Sequence, residues 1–123
     1  MFKRVAFTMY PVTEMARARA FYEQTLGLPP SRNSEKSPWV EFDLPDGGCL
    51  AITNVSESQP SASAGGMIAL EVEDLDALVA GLKTKGATIA GEGIEGPGCH
   101  MAVVKDPDGN AIILHQLKQD KQA

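Results

Sequence analysis

A chain of 123 residues, 43% hydrophobic and 22% charged, has the length and balance of an ordinary globular unit, which excludes a disordered segment and leaves little room for a second independent domain. Its formal net charge is -5 and its Lys and Arg residues are scattered, so no nucleic-acid footprint is present, and a small molecule or a second copy of the chain is the expected partner. No stretch approaches the roughly 20 apolar residues of a membrane span, and Met1-Phe2-Lys3-Arg4 runs into an alternating segment without an apolar leader, so a cytoplasmic protein with no membrane contact is expected.

The first element is a strand over Val5-Ala6-Phe7-Thr8-Met9-Tyr10, a run rich in β-formers, with Thr13 as the candidate N-cap of the helix that follows. Met15, Ala18, Tyr22 and Leu26 recur at spacings of three and four, which gives that helix one buried stripe, and Gly27 closes it. Pro29 and Pro30, with the polar run from Ser31 to Ser37, mark loops around a second strand. Trp39-Val40-Glu41-Phe42 forms a third strand, and after the turn at Pro45-Asp46-Gly47-Gly48 the segment from Cys49 to Thr53 forms a fourth.

Residues 56–66 are dominated by Ser, Pro, Ala and Gly without apolar periodicity and form a linker. The pattern then restarts. Met67 to Val72 is a strand, Asp74 a candidate cap, and Leu75, Leu78 and Leu82 share a helical face that ends at Gly86 after Lys83 and Lys85. Thr88 to Glu92, Cys99 to Lys105 and Ala111 to Gln116 are three further strands, the last two joined by Asp106-Pro107-Asp108-Gly109-Asn110. Residues 118–123 are a polar tail.

The two halves repeat each other. At an offset of 60, Phe7 falls on Met67 and Met15 on Leu75; at 62, Pro45-Asp46-Gly47 falls on Pro107-Asp108-Gly109 and Ala51 on Ile113. The expected architecture is α+β, with a βαβββ module over 1–55 and another over 67–117, ferredoxin-like repeats whose curved mixed sheets form a cup-like half-barrel. The two cysteines, Cys49 and Cys99, are too few for a disulfide framework and are expected as reduced thiols.

The run Tyr10-Pro11-Val12-Thr13-Glu14-Met15-Ala16-Arg17-Ala18-Arg19-Ala20-Phe21-Tyr22 with Leu26-Gly27-Leu28, followed at distance by Lys105-Asp106-Pro107-Asp108-Gly109-Asn110, resembles the glyoxalase/bleomycin-resistance/extradiol-dioxygenase (vicinal oxygen chelate) superfamily. The resemblance implies a ligand-binding cup, often completed in a homodimer. In the family's metalloenzymes it implies four His or Glu ligands around one divalent ion. Those positions correspond here to Phe7, Ala51, Met67 and Ile113, none of which offers an N or O donor. No metal and no other cofactor is therefore expected, and neither a metal-dependent lactoylglutathione lyase nor a ring-cleaving dioxygenase.

Alternation along strands places Val5, Phe7 and Met9, then Cys49, Ala51 and Thr53, then Met67, Ala69 and Glu71, and finally Ala111, Ile113 and His115 on the same wall as those four positions. The wall is mainly apolar and suits a hydrophobic or flat ligand, although the same residues would serve equally as a filled core. Within it, His115 is expected beside Ala69 and within reach of Glu71, an arrangement suited to a general base. Trp39 is a candidate stacking wall and His100 a candidate contact for an anionic ligand; ordinary core and solvated roles stand against both. Three readings result: a metal-free binding or resistance-type protein, a metal-independent lyase or isomerase using His115 and Glu71, and a dimeric accessory protein without a ligand.

Overall fold

The β-branched and aromatic runs pair into two mixed sheets, one in each of two units, Met1–Pro60 and Ser61–Ala123, in the computed structural model, which describes residues 1, 3–29, 37–56 and 58–118. In the first unit, β1 (Thr8–Pro11), β2 (Trp39–Asp43) and β3 (Cys49–Thr53) lie in the order β1-β3-β2, with β3 parallel to β1 and antiparallel to β2. In the second, β4 (Ile68–Glu71), β5 (Thr88–Gly96), β6 (Cys99–Lys105) and β7 (Ala111–Leu117) lie in the order β4-β7-β6-β5, and only β4 and β7 are parallel. With helix α2 (Leu75–Thr84) between β4 and β5, the second unit is βαβββ, and neither sheet closes into a barrel among the described residues. The stretch expected to hold a second strand and its loops before Trp39 falls largely on residues 30–36, outside the described residues, so the first unit reads βαββ among the described residues.

Helix α1 (Met15–Arg19) continues directly into a π-helical stretch, Ala20–Thr25, in which Leu26 N–H donates to the Phe21 carbonyl at 2.8 Å, five residues back. The spacing of apolar residues predicts one regular helix here; the wider turn differs because two adjacent aromatics, Phe21 and Tyr22, are both buried, and widening the turn brings neighbouring residues towards one face. Tyr22 stacks on Phe42 of β2 with centroids 6.0 Å apart and meets Phe21 edge-on at 5.2 Å. Val40, Phe42, Leu50 and Ile52 complete this core beneath the helix. At the helix start Glu14, not Thr13, is the N-cap residue and makes no capping bond, while Thr13 Oγ1 accepts from Arg17 Nη2 at 3.2 Å.

In the second unit the expected cap is present: Asp74 Oδ1 accepts from Ala77 N at 3.1 Å. Leu75 and Leu82 are buried with Val79, a third buried residue outside the expected stripe, whereas Leu78 is only partly covered. They pack towards Ala102, Val104, Ile112 and Leu114, which alternate onto one face of the sheet. The turn between β6 and β7 is cross-tied by its own side chains. Asp106 Oδ1 accepts from the backbone of Asp108 (2.9 Å) and Asn110 (2.8 Å), and Asp106 Oδ2 accepts from Asn110 Nδ2 at 2.9 Å. Asn110 Oδ1 in turn accepts from Ser61 N at 3.0 Å, and Gly109 supplies the positive φ of 89° that closes the turn.

Several strand boundaries differ from expectation, and β1, β2, β4 and β7 each end one residue from the expected position. β1 begins at Thr8 rather than Val5 and β4 at Ile68 rather than Met67, because their parallel ladders run only against Leu50–Thr53 and Ile112–His115. β5 extends past Glu92 to Gly96, since the glycine-rich run keeps pairing with β6 through register shifts around Gly91 and Ile94, where Gly93 takes a φ of 68°.

Candidate functional site

Each sheet has one face under its helix and one face opposite it. In the first unit Tyr10, Val40, Phe42, Leu50 and Ile52 take the helix side, so alternation puts Met9, Trp39, Glu41, Cys49, Ala51 and Thr53 on the other. There the rings of Phe7 and Trp39 meet edge-on, centroids 5.2 Å apart and planes at 85°. Phe7 precedes β1 and Trp39 opens β2, the strands on either side of β3, so the rings meet across β3, where Ala51 and Thr53 are small. Trp39 Nε1 donates to Glu41 Oε2 at 2.8 Å, which fixes the indole, and Thr53 Oγ1 donates to the Pro38 carbonyl at 2.7 Å. Ala51 and Thr53 are buried, while Phe7 remains 45% exposed.

In the second unit the corresponding face carries rows set by register. Glu71, His115 and Met101 lie side by side across β4, β7 and β6, with Ile94 of β5 beyond; Ala69, Ile113 and Val103 form the next row. Met67 lies one residue ahead of β4 and is 49% exposed. Sequence reasoning expected His115 beside Ala69; the ladder instead pairs Ala69 with Ile113 and His115 with Glu71.

That register brings His115 Nδ1 to 2.6 Å from Glu71 Oε1, while Glu71 Oε2 accepts from Leu117 N at 2.9 Å. The His115 hydrogen bond, outweighing the little desolvation there is and aided by the Leu117 amide, holds the Glu71 carboxyl below its usual range. Glu71 is therefore ionised at neutral pH and can only accept, so His115 presents Nδ1–H to it.

His100 stands on the opposite side of the sheet. Its cross-strand partners are Glu95 and Gln116, it alternates with Met101, and Gln116 Oε1 accepts from Leu75 N at the start of α2. His100 Nδ1 pairs with Glu95 Oε2 at 2.5 Å, and Lys118 Nζ lies 3.0 Å from Glu95 Oε1; these two contacts, that of Lys118 foremost, lower the Glu95 carboxyl. Four side chains not expected there from the sequence stand on the helix-free faces, Glu41, Ile94, Met101 and Val103. Period-two alternation from Trp39 would have found Glu41, but Met101 needed the β6–β7 register.

At the four positions where the resemblance implies metal ligands stand two aliphatic side chains, one aromatic ring and one thioether, in Ala51, Ile113, Phe7 and Met67. Among the described residues no group of three His, Cys, Asp or Glu side chains is placed to hold an ion, and His115 and Glu71 hold each other. This donor set does not fit a divalent cation. Neither cysteine is in a disulfide among the described residues, and no helix of the described residues is long and apolar enough to cross a membrane.

A mixed sheet under a single helix in each unit, with an apolar or aromatic helix-free face, defines a protein of the βαβββ class. The chain belongs to the Glyoxalase/Bleomycin resistance protein/Dioxygenase superfamily, whose family model matches residues 4–114. It is 30% identical over 127 residues to a probable lactoylglutathione lyase of Vibrio parahaemolyticus, covering 94% of this chain and 92% of that protein. Among solved structures it is similar to TnmS3, an antibiotic binding protein from Streptomyces sp. CB03234, with a TM-score of 0.78 and 26% identity over 95% of this chain and 98% of that one. A glyoxalase/bleomycin resistance protein from the same Streptomyces strain matches with a TM-score of 0.74 and 27% identity over 90% and 98% of the two chains.

Proposed function

We propose that this protein binds a small, partly apolar molecule on the helix-free faces of its sheets, in the manner of a sequestration or resistance protein, without a metal ion. The observation that carries the reading is the donor set at the four family positions, Phe7, Ala51, Met67 and Ile113, which offers carbon and sulfur where a metalloenzyme of the superfamily needs nitrogen and oxygen. The pinned Trp39 with Phe7 over β3, and the polarizable Met67 and Met101 on the second sheet, are surfaces that suit a flat apolar ligand. The likeness to an antibiotic binding protein at 26% identity supports the same reading. The lyase activity in the name of the Vibrio relative is not carried over, because the donor set here does not fit the metal-dependent form of that reaction.

Trp39 is the only tryptophan in the chain, so its fluorescence reports on the first face directly. A panel of drug-like aromatics is expected to contain compounds that quench or shift that emission and raise the melting temperature; at 100 times its Kd a ligand adds about 2.7 kcal/mol of stability. A panel without effect on either signal, together with a stoichiometric divalent metal in the purified protein, overturns the proposal.

A second reading is favoured by the 2.6 Å Glu71–His115 pair, which is the arrangement of a general base and its orienting carboxylate. Under it the protein is a metal-independent lyase or isomerase, and His115→Ala abolishes turnover while leaving the fold intact. We also propose that the protein acts in the cytoplasm as a homodimer, which sedimentation of the purified chain tests; the exposed Phe7, Met67 and Leu117 are apolar surface of the kind an interface covers.

A further inference from the structure

Resting on the ligand-binding reading above, we propose that His115 recognises a weakly acidic hydroxyl of a flat apolar ligand, a phenol or an enol, by accepting its hydrogen bond at Nε2, with Glu71 as the positioning residue.

Three observations carry this. First, both Glu71 oxygens are engaged, Oε1 by His115 Nδ1 at 2.6 Å and Oε2 by the Leu117 amide at 2.9 Å, so the carboxylate cannot turn away from the ring. A carboxylate so held accepts only, which places the imidazole proton on Nδ1 and leaves Nε2, in the neutral ring, as a lone-pair acceptor. Second, Nε2 has no hydrogen-bond partner among the described residues, and the His115 side chain is 27% exposed.

Third, apart from Glu71 the side chains around His115 on that face are apolar. Met101 is directly opposite on β6, with Ile94 beyond it on β5, and the next row is Ala69, Ile113 and Val103. A ligand lying on this face beyond Glu71, whose two oxygens are already engaged, meets hydrocarbon and thioether with the Nε2 lone pair among them. The ligand's polar group is thereby specified as a donor, and its body as apolar. Thioether sulfur makes favourable contacts with aromatic rings, which favours a planar ring carrying that donor. A hydrogen bond to a nitrogen lone pair gains strength with the acidity of its donor, so phenols and enols are favoured over aliphatic alcohols.

The test is a matched pair, 2-naphthol and 2-methoxynaphthalene, titrated calorimetrically into the full chain at neutral pH. The two share ring and shape and differ in the hydroxyl proton. 2-Naphthol is expected to bind about tenfold more tightly, and His115→Phe, which keeps a ring on the strand but has no lone pair, is expected to retain the ether's affinity and lose the preference. Glu71→Gln is expected to reduce the preference, and nitrogen-15 spectra of the imidazole read the tautomer without any ligand: Nδ1–H in the wild type, a mixture of tautomers in Glu71→Gln. Equal affinity for the two compounds, a preference that survives in His115→Phe, or an Nε2–H tautomer in the wild type overturns the inference while the ligand-binding reading stands. Failure of both compounds to bind, with no aromatic of the wider panel acting on Trp39 fluorescence or melting, overturns both.

Discussion

Phe7 and Trp39 meet edge to face across β3, and the indole is held a second time by the hydrogen bond from Nε1 to Glu41. An edge-to-face pair contributes about 0.5–1.5 kcal/mol beyond its area, but Phe7 is nearly half exposed, so Phe7→Ala is expected to cost about 1 kcal/mol in urea denaturation. The same substitution frees one side of the indole, and a more mobile Trp39 with lower fluorescence anisotropy is the expected companion result. An unchanged anisotropy would show that Glu41 alone fixes the ring.

The Glu71 carboxyl is lowered in the folded protein, foremost by its hydrogen bond from His115. A group depressed on folding stabilises the fold above its unfolded pKa, and that contribution is lost as pH falls through the folded value. Wild type and Glu71→Gln are therefore expected to differ in stability at neutral pH and to converge as the pH is taken well below 4.5. Glu71 is more than half exposed, so the difference is small, and a double-mutant cycle with His115→Ala measures it.

Asp106 is buried and accepts three hydrogen bonds from residues of its own turn. Asp106→Ala leaves the amides of Asp108 and Asn110 without that acceptor, and a loss of about 1–3 kcal/mol in chemical denaturation is expected. Asp106→Asn keeps one acceptor oxygen and is expected to cost less.

Phe42 is fully buried against Tyr22, and Leu82 is on the buried face of α2. Phe42→Ala is expected to cost about 3–5 kcal/mol and Leu82→Ala about 2–5 kcal/mol, by transfer and cavity together. Two separate denaturation transitions in either variant would show that the units Met1–Pro60 and Ser61–Ala123 unfold independently.

Because the side chains at the family's ligand positions do not fit a divalent ion, exhaustive treatment with a chelator is expected to leave the melting temperature unchanged. A fall in melting temperature, reversed by added zinc, nickel, iron or manganese, would contradict that fit.

Much of this protein can be read along the chain, where the physics is local. Asp74 caps α2 because its carboxylate reaches an amide three residues on, and the Asp-Pro-Asp-Gly-Asn turn closes because Gly109 accepts a positive φ. The residue types at the ligand positions are likewise a matter of sequence alone. Long-range pairing decided the rest. Whether His115 stands beside Ala69 or Glu71 depends on a two-residue choice of ladder register, and local propensity has no term for it. The face taken by His100 follows from Met101 pairing with His115 across antiparallel strands, and the π-helical turn follows from packing Phe21 and Tyr22 together against a sheet. A strand's residue pattern encodes alternation but not its exact partner, so the sequence placed Glu71 only within reach of His115, and the assembled sheets decided their direct pairing and the meeting of Phe7 with Trp39.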